Sequence, residues 1–221
     1  MEHAGATYTV WSDQMEDYNP EYRQYAAFEF VNIAPNLAIR PYYSIHAIED
    51  KLRARIDIEL KYDEIEKKLV IITCKFSSPR FTDGLKVSDI HKIPLEKLIQ
   101  NFMPEMYGYD DDGYFGMLPW ESIIKKVPFD TLRENGPVED TLRWVARVYY
   151  VAQIFRIPAT KEVSEKFGIP LRTASHWVKL MNERVRQIDI FNSEFDTLTF
   201  QAESWLPDEE AAERFLHATG L

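Results

Sequence analysis

A chain of 221 residues, 45% of them apolar and 14% aromatic, can bury a core and has the composition of a globular protein rather than a disordered one. Its 36 acidic and 26 basic residues give a net charge of −10, which argues against indiscriminate binding to polyanions. The single cysteine, Cys74, excludes an internal disulfide framework. With neither a secretory signal nor a membrane span predicted, we expect a cytoplasmic protein with no membrane partner.

The first part of the chain is predicted to be rich in antiparallel β-strands. Residues 52–60 alternate strictly between apolar and charged side chains, which is the pattern of a half-buried strand. Residues 69–76 are rich in β-branched side chains and follow a polar segment too long for a two-residue turn, so the two runs predict a hairpin with a longer loop. Two more strands are expected within 26–34 and 37–45. Cys74 falls within a predicted strand, where we expect a small buried apolar residue.

A short helix and then an irregular segment are predicted next. Pro94 suits a first helical turn, and one helical face carries Leu95, Leu98, Ile99 and Phe102. Residues 104–138 contain glycines, prolines and acidic clusters typical of loops and linkers. We therefore place the end of a β-rich domain, residues 1–136, near the Asn-Gly-Pro sequence at 135–137.

The periodicity becomes helical from Glu139 onwards. Apolar residues recur at spacings of three and four as far as Phe155, which predicts an amphipathic helix that Pro158 ends. Thr160 is expected to cap a second, short helix, because its hydroxyl can accept a hydrogen bond from an orphan amide. Gly168 supplies the left-handed residue that stops this helix. A third helix is predicted from Pro170 or Leu171 to about Arg184.

The spacing of these three helices is that of a helix-turn-helix DNA-binding domain, residues 137–187, with Pro170–Arg184 as the recognition helix. The predicted inward residues are Val163, Phe167, Ala174, Trp177, Val178 and Met181. The outward residues offer hydroxyls for base edges and cations for phosphates. The residues predicted to contact DNA are Thr160, Lys161, Arg172, Thr173, Ser175, His176, Lys179 and Arg184.

The distribution of charge along the chain agrees with this prediction. Residues 139–187 hold nine basic and five acidic side chains, whereas the segments before and after them are both net acidic. The overall charge of −10 therefore conceals one basic block that coincides with the helix-turn-helix. Helices joined at a glycine also occur in proteins that never meet nucleic acid, so a purely structural module stays open.

Two segments, 86–99 and 142–183, resemble small actinobacterial and actinophage proteins that join a variable β-rich N-terminal part to a C-terminal helix-turn-helix. The matching residues are Ile93, Pro94, Val145, Ala146, Val148, Tyr149, Thr160, Lys161, Val163, Gly168, Ala174, Trp177 and Val178. The resemblance covers about half of the chain and implies sequence-specific DNA binding, in transcription regulation of a phage or mobile element. The chain departs from this pattern by continuing for more than thirty residues past the third helix.

The extension, residues 188–221, is acidic and ends in a predicted short helix. Acidic residues follow Pro207, as the helix dipole favours, and Gly220 lies past the helix end. Its narrow apolar face, formed by Ala211, Phe215 and Leu216, predicts that the helix docks on the body of the protein. Binding of a partner is an alternative, and a third possibility is electrostatic gating, in which the acidic residues fold back over the basic surface.

The sequence predicts no enzyme, no cofactor and no metal site, because its five histidines are scattered and it lacks both a phosphate loop and a serine elbow. The first interpretation is thus an α+β protein that binds double-stranded DNA as a homodimer. Its antiparallel β-rich domain, expected to bind a partner, an effector or its own copy, is followed by an α-helical helix-turn-helix domain. The second is an acidic protein that binds a basic host or phage protein and uses the helices only as a scaffold.

Overall fold

The structure is a computed structural model that describes residues 8–13, 30–49, 54–78, 84–100, 102, 104–109, 115–184 and 208–220. Its residues group into two compact units. The sheet unit comprises Met1–Glu29 and Pro41–Pro104, and the helical unit comprises Phe30–Arg40 and Glu105–Leu221. This division does not coincide with the predicted boundary at 136 and 137, because residues 30–40 and 105–136 group with the helices.

The described elements confirm the predicted α+β class. The strands are β1 (Tyr8–Asp13), β2 (Val31–Ala34), β3 (Leu37–Ile39), β4 (Tyr42–Glu49), β5 (Ala54–Asp63), β6 (Lys68–Ser77), β7 (Met106–Tyr109) and β8 (Phe115–Leu118). The helices are α1 (Val87–Ile90), α2 (Leu95–Gln100), α3 (Trp120–Lys126), α4 (Phe129–Asn135), α5 (Glu139–Ile154), α6 (Ala159–Phe167), α7 (Leu171–Arg184) and α8 (Asp208–Ala218). None of the described helices is long and apolar enough to cross a membrane.

The sheet unit contains a four-stranded antiparallel sheet in the order β1-β4-β5-β6. In β5 the alternation seen in the sequence is an alternation of burial, with Ala54, Ile56, Ile58 and Leu60 all within the core. The hairpin of β5 and β6 is confirmed, and four residues connect its strands. The Asp63 carboxylate accepts hydrogen bonds from two amides of this turn at 2.8 and 2.9 Å, so the turn is fixed by its own side chain.

Helix α2 is also confirmed, and it carries apolar side chains into the core of the sheet unit. Leu98 and Ile99 are buried, and the ring of Phe102, just past the helix, packs edge-on against Tyr43 of β4 with 5.2 Å between ring centres. Each fully buried Leu or Ile side chain contributes about 1.5–3 kcal/mol relative to exposure.

Cys74 was expected to be buried, but it is only half-buried. Among the described strands β6 pairs only with β5, and apolar residues along it, including Ile71 and Ile72, keep substantial exposure. Burial, with a smaller contribution from the charge of Asp57, raises the pKa of the Cys74 thiol.

The prediction that residues 104–138 are irregular is wrong. This segment forms β7, β8, α3 and α4, and the two strands extend β2 and β3 into a second antiparallel sheet, in the order β2-β3-β7-β8. Gly108 lies inside β7, where a Cβ atom would stand 2.7 Å from the carbonyl oxygen of Asn36 and 2.7 Å from a methyl carbon of Leu118. The glycine therefore permits close packing rather than marking a loop.

A proline directly precedes the first residue of five of the described helices. In each case the carbonyl oxygen of the proline accepts the first helical hydrogen bond, and the five prolines are Pro94, Pro119, Pro128, Pro158 and Pro170. Thr160 is accordingly not the cap of α6, because the helix begins at Ala159 and Pro158 occupies the N-cap position. Helix α5 also ends at Ile154 rather than at Pro158, since Arg156 takes a positive φ of 54°.

The C-terminal helix α8 docks on other elements of the helical unit, as the apolar face in its sequence predicted. It packs against α3, β7 and β8, and its buried side chains are Ala212 and Phe215. Ala211 and Leu216 of the predicted apolar face are only half-buried, because the buried stripe runs through Ala212 instead. The ion pair between Lys126 and Glu213, at 3.2 Å, lies beside this contact.

Candidate nucleic-acid interface

Helices α5, α6 and α7 pack around one apolar core, as the helical spacing predicted. Each of the six predicted inward residues of α6 and α7 is buried: Val163, Phe167, Ala174, Trp177, Val178 and Met181. The indole of Trp177 packs edge-on against Phe167, with 5.6 Å between ring centres, and Phe167 in turn packs edge-on against Phe129 of α4 at 4.9 Å. Trp177 is therefore a core residue whose packing fixes the position of α7.

The turn between α6 and α7 depends on Gly168. Its φ of 60° and ψ of 35° lie in the left-handed region, as the sequence predicted, and a Cβ atom there would stand 2.9 Å from a guanidinium nitrogen of Arg133. The amide of Ile169 donates to the carbonyl oxygen of Ser164 at 3.0 Å, and the Ser164 hydroxyl donates back to the carbonyl oxygen of Ile169 at 2.5 Å. These bonds hold α7 at a fixed angle to α6.

The surface of α7 opposite its buried stripe is polar and cationic. Arg172, Ser175, His176 and Lys179 are all exposed, with 73% of the Lys179 side chain accessible to solvent, whereas Thr173 is half-buried. Residues 172, 176 and 179 are spaced by four and three, so they form one row along the helix. The structure thus places the cations of α7 and its exposed hydrogen-bonding groups on one accessible surface.

The remaining predicted contact residues flank this surface less uniformly. Lys161 is exposed at the first turn of α6, while Thr160 beside it is half-buried. Arg184 is exposed at the end of α7 and donates a hydrogen bond to the carbonyl oxygen of Pro137 at 3.3 Å. Within the described ranges, therefore, six predicted contacts are exposed: Lys161, Arg172, Ser175, His176, Lys179 and Arg184.

The lysines of this region are paired with glutamates of their own helices. Lys161 lies 3.4 Å from Glu165, Lys166 lies 3.5 Å from Glu162, and Lys179 lies 3.8 Å from Glu183. Such exposed pairs stabilise a helix by only about 0.3–0.5 kcal/mol, so a phosphate can displace the glutamate at little cost. Arg172, by contrast, makes no ion pair with any residue that the structure describes.

One member of the basic block, Arg147, is buried instead of exposed. Its guanidinium carbon lies 4.5 Å from the ring centre of Trp144 and 5.5 Å from that of Phe215, and its Nε donates to the carbonyl oxygen of Pro35 at 2.8 Å. Burial lowers the pKa of Arg147 to about 9, which still leaves the side chain protonated at pH 7. This cation thus joins α5, α8 and the β2–β3 turn and adds nothing to the surface.

Leu171 is a further exposed residue of α7, and it was not among the predicted contacts. The residue stands three before Ala174 and seven before Val178, which would place it on the buried stripe of α7. Instead it is 56% exposed, at the first residue of the helix. Pro170, which fixes where the helix begins, is the signal that indicates an exposed position here.

A second polar cluster lies in the sheet unit. His46 Nδ1 on β4 lies 2.7 Å from a carboxylate oxygen of Asp57 on β5, and Arg55 Nε donates to the same oxygen at 2.9 Å. Burial raises the pKa of Asp57, but the hydrogen bonds from His46 and Arg55 lower it by more, so the pKa lies below its ordinary value. The cluster ties two neighbouring strands together. No group of three His, Cys, Asp or Glu side chains suited to a metal ion occurs among the described residues.

Neither a protein-family model, nor a curated protein, nor a solved structure matches this chain. The resemblance to actinobacterial and actinophage proteins therefore stays a prediction. The geometry of the helical unit is what remains to support a function.

Proposed function

We propose that this chain is a sequence-specific DNA-binding protein whose recognition helix is α7. The observation that carries the proposal is the accessible row of Arg172, His176 and Lys179, with Ser175 beside it, on a helix whose other side is buried. An α-helix fits the major groove of DNA, where cations pair with phosphates or guanine and hydroxyls pair with base edges. The rigid core beneath α7 holds these groups in place before binding.

The proposal assigns a separate role to α6. In a helix-turn-helix the first helix of the pair crosses the sugar–phosphate backbone while the second enters the groove. Lys161, exposed in the first turn of α6, is placed for a phosphate contact of this kind. Its glutamate partner, Glu165, would give way to the phosphate, because an exposed intrahelical pair is weak.

We further propose that the chain binds as a homodimer in the cytoplasm and regulates transcription in a phage or mobile element. Isolated helix-turn-helix units bury little surface on DNA and commonly read two half-sites about one helical turn apart. Sedimentation of the free chain and of its DNA complex tests the stoichiometry, since a dimer predicts two chains on each bound duplex.

Selection of bound fragments from random duplex DNA tests the proposed function, and an enriched sequence is expected. On that sequence the double variant Arg172→Ala, Lys179→Ala should bind more weakly. The slope of log K against log salt should fall by about one for each phosphate that the variant no longer neutralises. Lys92→Ala of the sheet unit is the matched control, because Lys92 is 70% exposed and is also paired, with Asp89 at 3.1 Å. An unchanged slope in the double variant would remove both residues from the set that binds phosphate.

A second candidate function is favoured by one observation, the pairing of Lys161, Lys166 and Lys179 with glutamates. These pairs reduce the positive potential of the surface in a chain that carries a net charge of −10. Under this alternative the acidic chain binds a basic host or phage protein, and the helices are a scaffold. Selection would then enrich no DNA sequence, and the Arg172→Ala, Lys179→Ala variant would bind the protein partner as the wild type does.

A further inference from the structure

We propose that Leu171 contacts the 5-methyl group of a thymine, so that the DNA site contains a thymine where the first turn of α7 enters the groove. This inference rests on the proposed DNA-binding function and adds a specificity residue to it. Recognition helices contact base edges mainly through their N-terminal residues, and Leu171 is the first residue of α7.

The exposure of Leu171 is the first observation behind the inference. The residue is 56% accessible although its helical spacing places it in line with the buried residues Ala174 and Val178. Its immediate neighbour Arg172 and its neighbour one turn on, Ser175, are also exposed. In the major groove the thymine methyl is the one apolar group that a base pair presents, and apolar side chains pair with it.

The hydrogen bond of Ser175 is the second observation. Its hydroxyl donates its proton to the carbonyl oxygen of Leu171 at 2.9 Å. The hydroxyl oxygen can therefore act towards DNA only as an acceptor, through its lone pairs. An acceptor at this position suits the amino group of adenine. Residues four apart on a helix lie about 5–6 Å from one another, and an A·T pair presents a methyl group and an amino group together at its major-groove edge. Leu171 and Ser175 together are thus complementary to A·T.

Uracil substitution in the selected DNA site isolates the methyl contact. Each thymine is replaced in turn by deoxyuridine, which removes the methyl group and leaves the hydrogen-bonding edge unchanged. The wild-type chain should lose about fourfold in affinity at one position of each half-site, equivalent to about 0.8 kcal/mol for one buried methyl group. For Leu171→Ala that loss should disappear, while binding of the thymine duplex itself should weaken by a similar factor.

Val138→Ala is the matched control, because Val138 is also an exposed apolar residue of the helical unit, 47% accessible. It stands next to Pro137, whose carbonyl oxygen binds Arg184 at the opposite end of α7. This variant should lose affinity on uracil substitution as the wild type does.

Equal uracil losses in the wild type and in Leu171→Ala would overturn the inference, as would the absence of any thymine whose replacement by deoxyuridine weakens binding. If Leu171→Ala weakened self-association while the wild type already bound the thymine and uracil duplexes alike, Leu171 would be a dimer contact and the inference would be overturned. A selection that enriches no DNA sequence would be the separate failure of the proposed function.

Discussion

Phe167 and Trp177 meet edge to face, with their ring centres 5.6 Å apart and their planes at 83°. One residue closes α6 and the other lies in the middle of α7, so this contact fixes the crossing of the two helices. Edge-to-face pairs contribute about 0.5–1.5 kcal/mol beyond the burial of their surface.

Replacement of Trp177 by Ala should therefore lower the free energy of unfolding by about 3–5 kcal/mol, through reduced burial and the cavity that remains. Denaturant titration measures this change, and Trp177→Phe should restore much of it. DNA binding should fall with the folded fraction of Trp177→Ala and recover in Trp177→Phe. A stable Trp177→Ala variant would mean that α7 is held by other contacts.

Gly168 should tolerate asparagine better than alanine. Its φ of 60° costs an L-residue about 1 kcal/mol, and asparagine adopts this conformation more readily than alanine does. Both replacements add a Cβ atom near the same nitrogen of Arg133, so that contact does not distinguish them. Thermal unfolding should rank the variants as wild type, then Gly168→Asn, then Gly168→Ala. The reverse order of Asn and Ala would argue against the left-handed turn.

Arg147 should be more sensitive to loss of volume than to loss of charge. The buried guanidinium stacks on Trp144 and Phe215 and donates one hydrogen bond to Pro35. Replacement of a buried charge by an apolar side chain of similar size is often close to neutral. Arg147→Met should cost less stability than Arg147→Ala, which should lose about 2–4 kcal/mol through the cavity. Denaturant titration of both variants decides the comparison, and equal losses would show that the charge itself is essential.

Asp57 should make the chain less stable in acid. Its pKa is lowered in the folded state by hydrogen bonds from His46 and Arg55, which outweigh the effect of burial. The stability it contributes is therefore present above its ordinary pKa of 3.8 and is lost as the pH falls through the lower folded-state value. Melting temperatures between pH 6 and pH 3 should fall less steeply for Asp57→Asn than for the wild type. Glu64→Gln, in the exposed β5–β6 turn, is the control and should follow the wild type.

Electrostatic gating by the C-terminal extension needs a variant that keeps α8 in place. Deletion of residues 189–221 would remove Phe215, which is fully buried, so a change in binding would be confounded by a loss of stability. Neutralisation of Asp189, Glu194, Asp196 and Glu203 keeps α8 intact. If the acidic segment competes with DNA, this variant should bind the selected duplex more tightly at low salt, and the gain should shrink as salt is added. Equal affinity would exclude gating by these four residues.

Local patterns predicted the elements whose contacts are local. The hairpin of β5 and β6, the helix at Leu95 and the core of the helix-turn-helix each follow from a periodicity in the sequence. The elements in 104–138 could not be found in this way, because Gly108 is required by a carbonyl group of Asn36, seventy-two residues earlier in the chain. The amide of Tyr109 likewise pairs with the side chain of Asn36 at 2.8 Å.

In the candidate site, too, features that depend on local spacing were predicted, and features that depend on distant residues were not. Inward and outward residues of α7 were predicted from helical spacing, but the exposure of Leu171 at the first residue of the helix was not. The burial of Arg147 depends on Pro35 and Phe215, which are far from it in sequence. The start of α6 at Ala159 follows from Pro158 rather than from the hydroxyl of Thr160. Side-chain preferences at single positions are too weak to fix such boundaries.

The assignment of residues 30–40 to the helical unit has a consequence for how the gene can vary. The polypeptide passes between its two units three times, at 29–30, 40–41 and 104–105. A proteolytic nick at any one of these passages leaves the other two as covalent tethers. A single recombination crossover can likewise never exchange one unit intact for a homologous one, because each unit is built from two separate segments of the chain.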